Sequence, residues 1–177
     1  VVRLKGGDPF IFGRGSEEAL TLQRHGIPFS VVPGITSAQG ASASLAVPLT
    51  HRGLATGVRY VTGHCRDDMD LDLDWDGLAD PNTTLVVYMG LANIGEIVSR
   101  LRAAGRAAAT PVLAVNNATL AQEQRVVSTL GTLSRDLEAV VFDGPVLFMI
   151  GDVVSLHGIL SKEGALADAK PLAAVPV

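Results

Sequence analysis

The stretch Gly6-Gly7-Asp8-Pro9-Phe10-Ile11-Phe12-Gly13-Arg14-Gly15 constrains this chain more than any other. It follows the apolar run Val1-Val2-Arg3-Leu4 with only Lys5 between. An apolar strand that ends in two glycines and a carboxylate brings backbone N–H and C=O groups to the carboxyl edge of a sheet, where open α/β folds bind ligands. Pro9 disfavours helix before it, so the helical pattern begins after Gly15 with Ser16 as the expected N-cap. The spacing is not that of G-x-G-x-x-G, and the Lys-Ser/Thr pair of a phosphate-binding P-loop is missing. From these residues alone two readings stand level: a ligand loop at a strand end, and a tight turn that needs flexible residues.

The rest of the chain alternates between apolar runs and helical patterns, which points to an α/β fold. A helix is expected over 16–25 with Gly26 as its stop, then a strand over 28–32 ending at Pro33-Gly34. Residues 36–46 are rich in small side chains, which let a helix approach a backbone or a ligand closely. Further strands are expected over 58–62, 84–88, 111–115, 124–129 and 146–150, with the clearest helix over 92–104, where Ile94, Ile97, Val98 and Leu101 recur at helical spacing. The division expected is 1–50 as the remainder of a first α/β domain, 51–160 as a second, and 161–177 as a flexible tail.

With 177 residues, 47% of them hydrophobic, the chain has enough material for a real core. No window approaches the ~18 uninterrupted apolar residues of a membrane helix, so no membrane partner is expected. A net charge of −4 without a Lys/Arg cluster argues against nucleic acid. The single cysteine, Cys65, excludes an internal disulfide and fits a reducing compartment, so a cytoplasmic location is expected. The four histidines lack metal-ligand spacing, and no Ser-His-Asp or Cys-His set supports a nucleophilic hydrolase. Asp72, Asp74, Asp76 and Gly77 imitate a calcium loop, but Pro81 and Thr83 break the pattern; no metal is expected.

Three apolar runs end in turn or small residues: at Gly6-Gly7-Asp8, at Tyr88-Met89-Gly90 and at Asn116-Asn117-Ala118. In an α/β architecture such ends can converge on one crevice, where a cofactor would be held mainly by backbone groups.

Residues 4–15 resemble the signature of the uroporphyrinogen-III C-methyltransferases, within the tetrapyrrole methylase superfamily. Pro33-Gly34-Ile35-Thr36-Ser37, Pro48-Leu49-Thr50-His51-Arg52-Gly53, Val61-Thr62-Gly63-His64, Tyr88-Met89-Gly90 and Gly144-Pro145 resemble further family segments in the same order. The resemblance implies two α/β domains that bind S-adenosylmethionine between them, S-adenosylhomocysteine as product, and a homodimer. It places Gly6, Gly7, Asp8, Ile11, Thr36, Ser37, Met89 and Ala118 on cofactor-contacting positions. The family usually has Glu-Asn-Gly-Thr where this chain has Asn116-Asn117-Ala118-Thr119, so a lost carboxylate and an added methyl group are expected to weaken that contact.

The implied reaction moves two methyl groups to carbons of neighbouring pyrrole rings of uroporphyrinogen III, giving precorrin-2 for sirohaem or cobalamin. Its substrate carries many carboxylates, for which Arg14 and Arg52 are the candidate partners, because guanidinium groups grip carboxylates in a bidentate way. The family's acid and base positions would lie upstream of Val1, so no catalytic residue is assigned and the chain alone is expected to be inactive. Two alternatives remain: a non-catalytic module binding S-adenosylmethionine or a tetrapyrrole, and a related methylase acting on a later corrin precursor.

Overall fold

The computed structural model of the chain describes residues 1–64 and 71–161. Cys65, the beginning of the acidic stretch and nearly all of the expected tail lie outside the described residues. Five apolar runs form β1 (Gly57–Thr62), β2 (Thr83–Tyr88), β3 (Pro111–Asn116), β4 (Gln124–Thr129) and β5 (Val146–Ile150). They make one sheet in the order β1-β2-β5-β3-β4, in which β1 and β2 are parallel and the remaining neighbours antiparallel. The helices are α1 (Gly15–Arg24), α2 (Ser37–Leu45), α3 (Trp75–Leu78), α4 (Ile94–Ala103), α5 (Leu133–Glu138) and α6 (His157–Leu160). The α/β class expected from the sequence is the one observed.

β5 slots between β2 and β3, so that Met149 stands opposite both Val86 and Leu113. All of its residues are buried, as the continuous apolar run Val146-Leu147-Phe148-Met149-Ile150 requires of a strand covered on both faces. Alternation along the strands divides the core in two. Leu85, Val87, Val112, Ala114, Phe148 and Ile150 face one way and pack on Ile97 and Leu101 of α4 and Leu133 of α5. Val86, Leu113, Val115, Leu147 and Met149 face the other and meet Ala38, Ala41 and Leu45 of α2, with Val153 and Val154. Alanine at 38 and 41 brings the α2 backbone close to the sheet, a packing role for the small-residue helix.

Arg106 bridges the first layer by donating to the carbonyls of Leu78 (2.8 Å), Thr83 (3.0 Å) and Ile150 (3.1 Å) while almost wholly buried. Burial pushes its guanidinium below the usual range, and Asp152 and Asp80 oppose that shift.

Two expected strands are absent. Residues 1–5 and 28–33 have no ladder partner among the described residues, and Val1, Val2, Leu4, Phe29 and Val32 are exposed. Apolar composition makes a segment fit for a sheet, but a strand exists only where a neighbour supplies hydrogen-bond partners. Residues 1–5 are fastened instead by charge: Lys5 and Arg3 both reach Glu18 of α1, at 2.9 and 3.4 Å. The expected N-cap also shifts, because α1 begins at Gly15 with left-handed Arg14 before it and no side-chain cap.

Candidate functional site

Residues 6–15 form a coiled loop closed on itself by the Gly15 N–H donating to the Pro9 carbonyl (2.9 Å). The Asp8 carboxylate accepts from the Phe10 N–H at 2.8 Å, an Asx turn, and from the Gly34 N–H at 3.0 Å. These donors, Gly34 foremost, hold its carboxyl below the ordinary aspartate range. A side chain at Gly34 would run into the Gly7 carbonyl, so the two glycines allow the backbones to touch. Asp8 thereby ties the loop to the turn that leads into α2.

α2 opens with a capping box: Thr36 Oγ1 accepts from the Gln39 N–H (3.1 Å) and Gln39 Oε1 from the Thr36 N–H (3.0 Å). The Ala38 N–H, one of the helix's free donors, reaches the Tyr88 hydroxyl oxygen at 3.2 Å, joining α2 to the end of β2. Tyr88 stacks obliquely on Phe12, ring centres 4.9 Å apart, and meets Tyr60 edge-on at 6.0 Å. Burial raises the Tyr60 phenol, with a hydrogen bond to Thr36 acting in the opposite sense.

Between these parts lies a cavity of about 490 Å³. Its walls are Gly7 of the loop, Ile35-Thr36-Ser37, Gly40 and Ala41 of α2, Tyr88 at the end of β2 and Met89 after it, Val115 of β3 and Asn117 to Thr119 after it, and Pro145 to Leu147 around the start of β5. Among the described residues no charged side chain lines it. Three of its wall residues, Met89 (φ 53°), Asn117 (φ 52°) and Thr119 (φ 73°), sit in the left-handed region, as do Phe12 and Arg14 in the loop. Such conformations cost about 1–3 kcal/mol each and cluster at ligand clamps. A larger concavity of about 580 Å³, along the outer face of α4 beside Arg102 and Arg106, draws on none of these loops.

Of the residues singled out in the sequence, Gly7, Thr36, Ser37, Met89 and Ala118 line the cavity together. Gly6, Asp8 and Ile11 belong to the same loop but lie outside the lining, Asp8 as its brace. Arg14 is engaged bidentately by Glu17, at 3.0 and 2.7 Å, and Arg52 lies on an exposed turn. Tyr88 and Asn117 also line the cavity, in two of the strand ends expected to converge on one crevice, whereas sequence reasoning missed Leu147, whose apolar run read only as core.

The Asn116 side chain is fully buried and turned to structure: its Nδ2 donates to the Pro145 carbonyl at 2.9 Å and its Oδ1 accepts from Asn117 Nδ2 at 2.8 Å. A carboxylate there could not donate, so the amide braces the left-handed turn; Asn116 itself is not among the residues lining the cavity, whereas Ala118 is.

The cavity suits a small-molecule ligand: its volume lies in the usual range for such sites, and small and apolar residues interspersed with the hydroxyls of Thr36, Ser37, Tyr88 and Thr119 and the amide of Asn117 line it.

The sequence profile of the tetrapyrrole (corrin/porphyrin) methylases matches residues 1–134. Uroporphyrinogen-III C-methyltransferase of Paracoccus denitrificans is 55% identical over 156 residues, which are 88% of this chain and 54% of that protein. Siroheme synthase of Azotobacter vinelandii is 52% identical over 161 residues, 91% of this chain and 34% of that protein. The chain thus spans about half the length of the first of these relatives and a third of the second. The crystal structure of uroporphyrin-III C-methyl transferase from Thermus thermophilus complexed with S-adenyl homocysteine superposes with a TM-score of 0.75 at 43% identity, covering 88% of this chain and 67% of that one.

Proposed function

The chain belongs to the tetrapyrrole methylase family, and from that premise we propose that it binds S-adenosylmethionine in the cavity of about 490 Å³ and methylates two pyrrole carbons of uroporphyrinogen III to give precorrin-2. One observation carries the reading: the segments with Gly7, Thr36-Ser37, Met89 and Asn117 to Thr119, separated in sequence, meet around one uncharged cavity. The Thermus thermophilus relative, crystallised with S-adenyl homocysteine, supports the choice of ligand.

Gly7, Thr36, Ser37, Met89 and Ala118 would hold the cofactor, with Gly6, Asp8 and Ile11 shaping the loop against it. When bound, it supplies an electrophilic sulfonium methyl group to an electron-rich pyrrole carbon. The chain's own residues align the reactants and exclude water, the task suited to rigid backbone walls. The aromatic group of Phe12, Tyr88 and Tyr60 stiffens the end of β2 beside Met89. Arg52 is the better of the two candidate carboxylate partners, because Glu17 already occupies Arg14.

The same reading includes a homodimer in the cytoplasm, and a division into a first α/β unit over 1–50 and a second over 51–160. In favour of the division, the described residues before β1 contribute no strand to the sheet. Among the described residues no helix is long and apolar enough to cross a membrane.

Titration of the intact protein with S-adenosylhomocysteine, paired with transfer of labelled methyl from S-adenosylmethionine to uroporphyrinogen III, tests the function. Saturable binding and a doubly methylated product are expected; binding without product would convert the reading to that of a binding module.

A further inference from the structure

The turn after β3 enters left-handed backbone at Asn117 (φ 52°) and again at Thr119 (φ 73°). For Thr119, a β-branched residue, this is a costly conformation that surrounding contacts must impose. Asn116 and Asn117 secure the near side of the turn through the Pro145 and Asp143 carbonyls. The far side depends on Glu123, outside the cavity, whose Oε2 accepts from the Thr119 N–H at 2.9 Å and from Ser44 Oγ on α2 at 3.0 Å. One carboxylate oxygen therefore spans the gap between two walls of the cavity: the Asn117–Thr119 turn on one side and α2, with Thr36, Ser37, Gly40 and Ala41, on the other. Where a Cβ at Gly40 would lie, Thr119 Cγ2 is only 3.6 Å away, so a shift of the turn changes the width of the cavity directly.

We propose that Glu123 is a positioning residue for the cofactor cavity: it locks Thr119 in its left-handed conformation and clips the β3–β4 turn to α2, setting the separation of the walls. The proposal rests on the cofactor reading above only for its consequence in binding; the clip itself is a property of the ligand-free chain. Charge-assisted bonds to a backbone N–H are among the stronger hydrogen bonds, and a strained turn that loses one relaxes toward ordinary backbone. Glu123 touches neither reactant, so its loss acts on the occupancy of the site and not on the chemical step.

The test compares Glu123→Ala, Glu123→Gln and Ser44→Ala in the intact protein, using S-adenosylhomocysteine as the binding probe. Glu123→Ala is expected to weaken binding about tenfold and to raise KM for S-adenosylmethionine by a similar factor with kcat retained. Glu123→Gln keeps an acceptor oxygen and should stay within about threefold of wild type, and Ser44→Ala, which severs only one arm, within about threefold as well. Amide hydrogen exchange at Thr119 without ligand reads the clip independently; it should quicken at least about tenfold in Glu123→Ala. Unchanged Thr119 exchange overturns the proposal, as does a drop in thermal midpoint with KM unaltered. If the wild-type protein does not bind the probe, the cofactor reading fails, and Thr119 exchange alone decides the clip.

Discussion

In the sheet, Phe148, Met149 and Ile150 are fully buried, whereas in the first part of the chain Phe10, Phe12, Phe29 and Val32 stand 41–81% exposed. Both regions supply walls of the same cavity, yet different forces hold them. β2, β3 and β5 bury apolar side chains on both faces, so their ends are rigid because the core beneath them is. The loop of residues 6–15 has little burial to lean on. Its shape comes from short backbone contacts, the Gly15-to-Pro9 hydrogen bond and the two N–H groups on Asp8. A site assembled this way has one stiff half and one half whose order depends on a few directional bonds.

The contrast is open to breaking, and the largest effect should come from the sheet. Phe148→Ala removes a ring packed against both β2 and β3 and should cost about 3–5 kcal/mol, seen as a large drop in the denaturation midpoint. A loss below about 1 kcal/mol would mean that the sheet is not the stable half. Gly34→Ala puts a methyl group against the Gly7 carbonyl. It should displace the loop and lower affinity for S-adenosylhomocysteine on the order of tenfold, a change of about 1.4 kcal/mol. Global unfolding should barely move, and parallel losses of binding and stability would show that loop and sheet are one cooperative unit.

Asp8 gives a pH-dependent version. Its carboxyl is held below the ordinary aspartate value by the Gly34 and Phe10 N–H groups. The brace is therefore fully present above that ordinary value and is lost as pH falls through the lowered one. Following the Gly34 and Phe10 amide resonances through acid should show both moving together at a pH below the ordinary aspartate range, and Asp8→Asn should abolish that step. Titration at the ordinary value would remove Asp8 as the brace. The smallest effect belongs to Phe29→Ala: a ring 47% exposed should change stability by no more than about 0.5 kcal/mol.

The same division explains what could be read in advance. The five sheet strands were legible because an apolar run between turn residues, when buried, is also a strand. The runs at 1–4 and 28–32 looked alike and are not strands, since composition records fitness for pairing and not the presence of a partner. Met89 and Ala118 were legible as cavity residues through their places at strand ends. Leu147 was not, because nothing in an apolar run distinguishes a residue facing a cavity from one facing the core.

By itself the sequence determined the α/β class, the segments of the sheet and the family, because these depend on local periodicity and on motif order. Only the tertiary structure decided that β5 enters between β2 and β3, and that Asp8 braces Gly34 across 26 residues of chain. It alone brought Glu123 onto both Thr119 and Ser44. Each of these is a contact between segments remote in sequence, set by how the layers stack, and no local pattern encodes which distant group a given donor will meet.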